Sequence, residues 1–264
     1  MCRLWLRYAK RGRLRFTSHR DIARAVERGL RRAGLPMAYS QGFNPHPKVS
    51  WVGAAPTGSA SEAEYVEIAL VTPADPAVVR ARLDAAMPEG LAVLDAVVAG
   101  PGSLADRMEA SRWRIELPGV SVAALRDAVS AVLAAPEVQV ERMTKNGSRS
   151  VDARAALVSL DVSDQPVVSP VAEPVTECGI LTAVVWQASP AVRPDDVLSA
   201  LDVVAGLRPP VPAKATRTAQ GRLDDDGGLV DPLGADRSST GPVPAQSGDG
   251  AERSDRGGVA GHAG

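Results

Sequence analysis

The sequence predicts an α+β fold built as a tandem of two ferredoxin-like halves, each a β-α-β-β-α-β run with an antiparallel sheet, followed by a disordered C-terminal tail. Three observations lead there. Short runs with strand periodicity alternate with punctuated helical patterns through the first hundred residues. A similar order returns after Gly100-Pro101-Gly102, and from Gly221 the composition collapses to Gly, Asp, Ser and Pro with almost no large apolar residue. The expected boundaries are 1–100 for the first half, 103–220 for the second and 221–264 for the tail.

In the first half, residues 3–9 alternate as a strand. Ser18-His19-Arg20-Asp21 fits a capping box, and the helix it opens should end near Gly34-Leu35-Pro36. Strands are expected at 48–54 and 64–71. Asp75-Pro76 opens a second helix that Pro88-Glu89-Gly90 closes, and 91–98 reads as the fourth strand.

In the second half, the expectation is a strand at 112–117, a helix at 121–134, strands at 137–144 and 179–187, and a helix from Pro194 to about 204. Asn146-Gly147 is a hairpin signal feeding an extra segment, 149–162, that the first half lacks. Beyond 220 too few apolar residues remain to offset the entropy of ordering the chain.

With 264 residues and 45% hydrophobic content, the chain can bury one sizeable core or two small ones. Cys2 and Cys178 are the two cysteines, unlike a disulfide framework or a CxxC metal pattern, which favours a reducing compartment. The N-terminus never reaches the apolar stretch of a secretion signal, and no apolar run approaches the roughly 20 residues of a membrane span. The expectation is a cytoplasmic protein with no membrane contact.

A formal net charge of −1 hides an asymmetry: residues 1–50 carry twelve basic and two acidic side chains, a local charge of +10. A preference for Arg over Lys in the proteome would explain the type of base, but not the near absence of acids beside it. Around the first helix, Arg20, Arg24, Arg28 and Arg31 fall in one narrow sector, with Ile22, Val26, Leu30 and Ala33 opposite. Like charges at this spacing repel by a few tenths of a kcal/mol per pair, so an anionic partner would relieve a built-in cost. Guanidinium groups bond phosphate bidentately, which points to RNA or another polyanion; a solvated face and an acidic protein surface are the competing readings. An aromatic content of 3% leaves few stacking rings and argues against sequence-specific readout of single strands.

A second candidate is the segment Tyr39-Ser40-Gln41-Gly42-Phe43-Asn44-Pro45-His46-Pro47-Lys48. Its prolines and glycine fix the backbone and present Tyr39, Gln41, Phe43, Asn44, His46 and Lys48 as a binding surface. His19 and His46 are the candidates for acid–base chemistry, against the plainer reading that both are structural. Two histidines without a carboxylate cluster do not make a metal site, and none is expected. Phosphate loops, dinucleotide fingerprints, nucleophile elbows and zinc-protease motifs are missing. Glu62, Glu64 and Glu67 are expected to face solvent.

Three stretches carry a family resemblance: Arg15-Phe16-Thr17-Ser18-His19-Arg20-Asp21, Arg31-Arg32-Ala33-Gly34-Leu35-Pro36, and the 39–48 segment. They resemble the radical-SAM-associated family, domain of unknown function 2344, in its stand-alone form. Gly58-Ser59-Ala60-Ser61-Glu62-Ala63-Glu64-Tyr65-Val66-Glu67 and Met87-Pro88-Glu89-Gly90 continue the likeness, which extends over about residues 2–215. The resemblance implies a bacterial accessory protein that partners a radical SAM enzyme. Genes of this kind stand beside those for ribonuclease E/G and ribosomal proteins, which implies RNA or ribosome maturation. It carries no catalytic residue over.

The expected function is therefore a non-catalytic RNA-binding or substrate-presenting partner of a radical SAM protein, with RNA or ribosome-associated factors as further partners. No cofactor is expected: two scattered cysteines cannot supply an iron–sulfur cluster, and no SAM site is foreseen. One alternative is a metal-independent RNA-processing or RNA-modifying enzyme using His19 or His46 as general acid or base. Another is an adaptor that binds an acidic protein surface.

Overall fold

The alternation in Cys2–Lys10 sets the first strand, β1, and sorts its side chains: Leu4, Leu6 and Tyr8 point to one face of the sheet, Trp5 to the other. In this computed structural model, residues 1–144, 147–163 and 177–237 are described. After β1 come α1 (His19–Arg32), β2 (Val49–Val52), β3 (Ala60–Leu70), α2 (Pro76–Ala86) and β4 (Leu91–Val98). The chain continues with β5 (Ala110–Pro118), α3 (Val122–Ala134), β6 (Gln139–Thr144), β7 (Gly147–Asp152), β8 (Leu157–Val162), β9 (Cys178–Trp186), α4 (Pro194–Ala205) and β10 (Lys214–Leu223). It ends with β11 (Leu229–Val230) and α5 (Gly234–Arg237).

The result is a mixed α+β structure with one mostly antiparallel sheet in the order β4-β1-β3-β10-β5-β9-β8; β2 pairs with β3 and β11 with β10. Among the described residues, the one parallel pairing in this sheet is between β3 and β10, where Thr216 faces Ala60 and Arg217 faces Ser61. β3 is long enough, at 11 residues, to pair with β10 at its start and with β2 near its end. β6 and β7 form a separate two-stranded sheet, with Thr144 opposite Gly147, where a hairpin was expected. Of the expected Asn146-Gly147 turn, Gly147 opens β7, while residue 146, with residue 145, lies outside the described residues.

Each half has its own core. Leu4, Leu6, Ile22, Val26, Leu30, Val66, Ile68, Val79 and Leu83 close the sheet against α1 and α2. Trp113, Ile115, Leu125, Val129, Leu181, Val197 and Leu201 do the same for α3 and α4. Truncating any such leucine to alanine costs about 2–5 kcal/mol. A third cluster covers the opposite face of the first half: Trp5, Ala63, Tyr65, Val97, Leu104, Met108 and Leu233.

That third cluster corrects the expectation of a tail beginning at 221. β10 runs through Leu223, β11 pairs back onto it, and Leu233 is fully buried beneath Trp5 and Tyr65. Gly221 is a packing residue: an added Cβ would stand 1.9 Å from the Val230 carbonyl oxygen. Arg107 fastens the segment, donating to Asp236 at 2.5 Å and to the Pro232 carbonyl at 2.7 Å while its guanidinium stacks 4.3 Å from the Trp5 ring. A window average misses one buried leucine and one ion pair. Residues 238–264 of the expected tail lie outside the described residues.

Candidate functional site

Ser18 opens α1: its hydroxyl accepts from the Asp21 backbone N–H at 3.2 Å and donates to the Asp21 carboxylate at 2.7 Å. The helix buries Ile22, Ala25, Val26, Gly29 and Leu30, which leaves Arg20, Arg24, Arg28 and Arg31 exposed together on the opposite side. Arg24 lies 3.5 Å from Asp21 with both side chains 56% exposed, a contact worth little in water. Arg20, Arg28 and Arg31 have no ion pair to a described carboxylate. Just upstream, a 3₁₀ turn at Gly12–Phe16 presents Arg13 and Arg15, the latter 4.6 Å over the exposed Phe16 ring. Arg11 is engaged differently, forked onto Glu62 at 2.7 and 2.5 Å.

The 39–48 loop is closed at its base by backbone bonds. Ser40 N–H donates to the His46 carbonyl at 2.8 Å, and His46 N–H to the Ser40 hydroxyl at 3.0 Å. Tyr39 bridges Pro47, and Lys48 N–H donates to the Ala38 carbonyl at 2.8 Å. Residues 41–46 therefore project as a finger, with Gln41, Asn44 and His46 exposed and Phe43 fully so at the tip. Tyr39 and Lys48 are exposed at its base. Beside it lies a cleft of about 360 Å³ bordered by Arg3, His46, Lys48, Ser50 and Glu67.

The two histidines do not share a site. His19 sets its ring edge-on to Trp51, 5.3 Å between centroids, on the face of β2 that packs toward the helices. His46 borders the cleft with Glu67, whose carboxylate accepts from Trp5 Nε1 at 2.7 Å on the opposite face of the sheet. Among the described residues, no three of His, Cys, Asp and Glu come together as metal ligands.

Sequence reading missed a buried polar cluster at the seam between the halves. Glu64, expected to face solvent, is 2% exposed. It lies on the helix-side face of β3, accepts from Arg217 at 2.5 Å and from the Ala55 backbone N–H at 3.2 Å. Arg217 also donates to Ser61 Oγ at 3.3 Å, and Lys10 donates to the carbonyls of Ala55 and Pro56 at 3.3 and 3.4 Å. Burial pulls the Lys10 ammonium below its usual range, with Glu64 opposing and Arg217 adding to the shift. Burial, then the Glu64 charge, pushes the Tyr8 hydroxyl well up. The signal that could have found Arg217 and Gln220 is faint, because Lys214–Leu223 carries few apolar residues for a central strand.

Next to this cluster is a cleft of about 200 Å³ whose walls come from both halves: Gly53, Ala54 and Pro56 from one, Ser111, Trp113, Trp186, Gln187 and Arg193 from the other, with Arg217 and Gln220 of β10 between them. A match to the family described as "Uncharacterized protein conserved in bacteria (DUF2344)" covers residues 3–194 and stops short of β10. No curated protein matches the chain. The match spans well over half of the 264 residues, and the chain belongs to the DUF2344 family.

Proposed function

We propose that this chain is an RNA-binding accessory protein that presents RNA to a radical SAM enzyme in RNA or ribosome maturation, and has no reaction of its own. The observation that carries the RNA part is the exposed row Arg20, Arg24, Arg28 and Arg31, nearly free of carboxylates, on a helix whose other face is fixed by its core. Four guanidinium groups along one helix face suit a phosphate backbone. The radical SAM partner and a place in the bacterial cytoplasm rest on the family resemblance and on the two isolated cysteines.

We read the fold as a tandem of ferredoxin-like units. Supporting this, β4-β1-β3-β2 and β10-β5-β9-β8 repeat one lateral order, the second unit carrying the β6–β7 hairpin as an insertion. The finger at 39–48, with Phe43 and His46 exposed, is the part we assign to partner contact or RNA specificity. His19 rests on Trp51 while His46 borders the cleft beside Glu67, and this supports reading the two as separate surface features over one two-imidazole RNA-cleaving site.

The test is a salt titration of RNA binding with the full chain. Each arginine that no longer neutralises a phosphate should lower the slope of log K against log salt by about one. We expect Arg24→Glu with Arg28→Glu to abolish retention at moderate salt while leaving the fold intact. Undetectable RNA affinity of the unaltered chain at low salt, with capture of an acidic protein instead, would replace this reading by the adaptor.

A further inference from the structure

The cleft at the seam is not used by the arginine row, and its walls are chemically specific. Two of the four tryptophans of the chain meet there, Trp113 buried in its floor and Trp186 at its rim, 44% exposed. Trp186 also borders a second cleft, of about 350 Å³, that runs along β7 past Arg149 and Ser150. A rim indole with open space on two sides is a stacking surface.

The polar groups in the wall have fixed senses. Gln220 donates its amide nitrogen to the Ala63 carbonyl at 2.7 Å, so its oxygen is the group left to accept. That oxygen lies 3.0 Å from where a Cβ on Gly53 would be, and Gln187 Nε2 lies 3.8 Å from the same point. Any side chain at 53 would crowd the two amides; glycine, at φ +54, keeps them open. Ser111 Oγ accepts from Trp113 Nε1 at 2.9 Å, which leaves its own proton to donate. Acceptor, donor and a second amide therefore converge on one small space.

Size and charge select the occupant. About 200 Å³ falls below the roughly 300 Å³ where pockets for whole drug-sized ligands begin, and has room for one flat ring system. The cation in the floor, Arg217, is already neutralised by Glu64, so the interior favours an uncharged polar ring over an anion. Arg193, exposed at the rim, is placed for a phosphate outside. The loop that supplies Gly53, Ala54 and Pro56 also joins the basic region: Gly58 N–H donates to the Arg15 carbonyl at 2.7 Å, and His19 at the start of α1 rests on Trp51.

We infer that the seam cleft holds a single unpaired nucleobase, stacked on Trp186 and hydrogen-bonded by Gln187, Gln220 and Ser111, with the strand continuing toward the arginine row of α1. The inference rests on the RNA reading above and adds the element that reads the base. It would give the protein a preference for single-stranded or flipped nucleotides, which the arginines alone cannot supply.

Two measurements on the full chain test it. In the first, adenosine, guanosine, cytidine and uridine are titrated against tryptophan fluorescence; these ligands carry no phosphate and bypass the arginines. At least one should quench saturably, and Trp186→Ala and Gln187→Ala should weaken or remove the effect. Absence of saturable quenching by all four, or quenching unchanged in Trp186→Ala, overturns the inference. In the second, a short single-stranded RNA is compared with an abasic strand of equal charge. The abasic strand should bind about tenfold more weakly, the worth of one stacked base, and Trp186→Ala should erase the difference. Equal affinity for both strands overturns the base pocket and leaves the arginine reading standing. Binding of nucleosides but of neither strand overturns the RNA reading, and with it the inference as stated.

Discussion

α1 and α3 each follow a strand of the main sheet, β1 and β5, and each closes a core against it. Both begin at a serine whose hydroxyl accepts from the backbone N–H three residues on, at 3.2 Å for Ser18 and 3.1 Å for Ser121. Both bury a stripe, Ile22, Val26 and Leu30 in one, Leu125, Val129 and Val132 in the other. Their outer faces differ. α1 exposes Arg20, Arg24, Arg28 and Arg31, where α3 exposes Ala123, Arg126, Asp127, Ser130 and Ala134. A cap and a stripe thus suffice to build a helix at this position, and α3 shows that a row of arginines is not needed for it. The cause of that row has to lie outside the fold.

The second difference between the halves is the cover on the far side of the sheet. Among the described residues, only the first half has such a cluster, with Leu104, Met108 and Leu233 packed on Trp5 and Tyr65. What the halves share is the seam, where Glu64 of one meets Arg217 of the strand between them.

The largest expected effect is at that seam. Glu64 and Arg217 have side chains 3% and 5% exposed, and removing one partner of such a buried pair costs about 3–5 kcal/mol by leaving the other charge unpaired. Glu64→Gln or Arg217→Met should therefore lower urea stability by that amount. Replacing both with apolar residues should cost less than either single change. Two separate unfolding transitions in the single variants would mean that the halves are independent units held together by this pair. A single shifted transition would mean that they fold as one.

Loss of the cover comes next. Leu233→Ala should cost about 2–5 kcal/mol, as for other fully buried leucines. A chain ending after Leu223 should lose at least as much relative to one ending after Arg237. If the comparison is right, hydrogen exchange should rise in β1, β3 and β4 and stay protected in β5 and β9.

Acid should act on the same cover. Burial alone would raise the Asp231 pKa, but Arg237, the Leu233 backbone N–H and Arg7 together hold it below its usual 3.8. A carboxylate depressed in the folded state stabilises at pH above its unfolded value and loses that contribution as pH falls through the folded one. The cover should hold at neutral pH and weaken below 3.8, and Asp231→Asn should flatten this part of a stability–pH profile.

Much of this was legible from the residues. The cap at Ser18, Asp75-Pro76 at α2 and the alternation of β1 follow from local chemistry, and the helices and strands fall close to where those signals put them. The finger at 39–48 was legible too, because prolines and glycine act on their own backbone. The seam was not. Lys214–Leu223 reads as a polar segment, and its place in the middle of the sheet depends on Arg217 meeting Glu64, 153 positions earlier in the chain. Trp113 and Trp186 gave no pattern either, since their convergence on one cleft is a product of β5 and β9 pairing. Pairing at a distance leaves no mark in a local window.

The smallest effect bears most directly on α1 against α3. Arg28 has Arg24 four residues before it and Arg31 and Arg32 three and four after it on the same helix. Each like-charge pair costs about 0.2–0.5 kcal/mol, and glutamine keeps a similar helix propensity. Arg28 sits before the last turn, where the helix dipole would favour it, so little is lost in exchange. Arg28→Gln should therefore raise the stability of the RNA-free protein by about 0.5 kcal/mol at low salt. The gain should shrink as salt screens the repulsion. A matched Ser130→Arg on α3 would stand four residues after Arg126 and three after Asp127, whose charges offset, and should change stability little at any salt. If Arg28→Gln destabilises instead, the arginines serve the fold after all, and the contrast between the two helices loses its functional meaning.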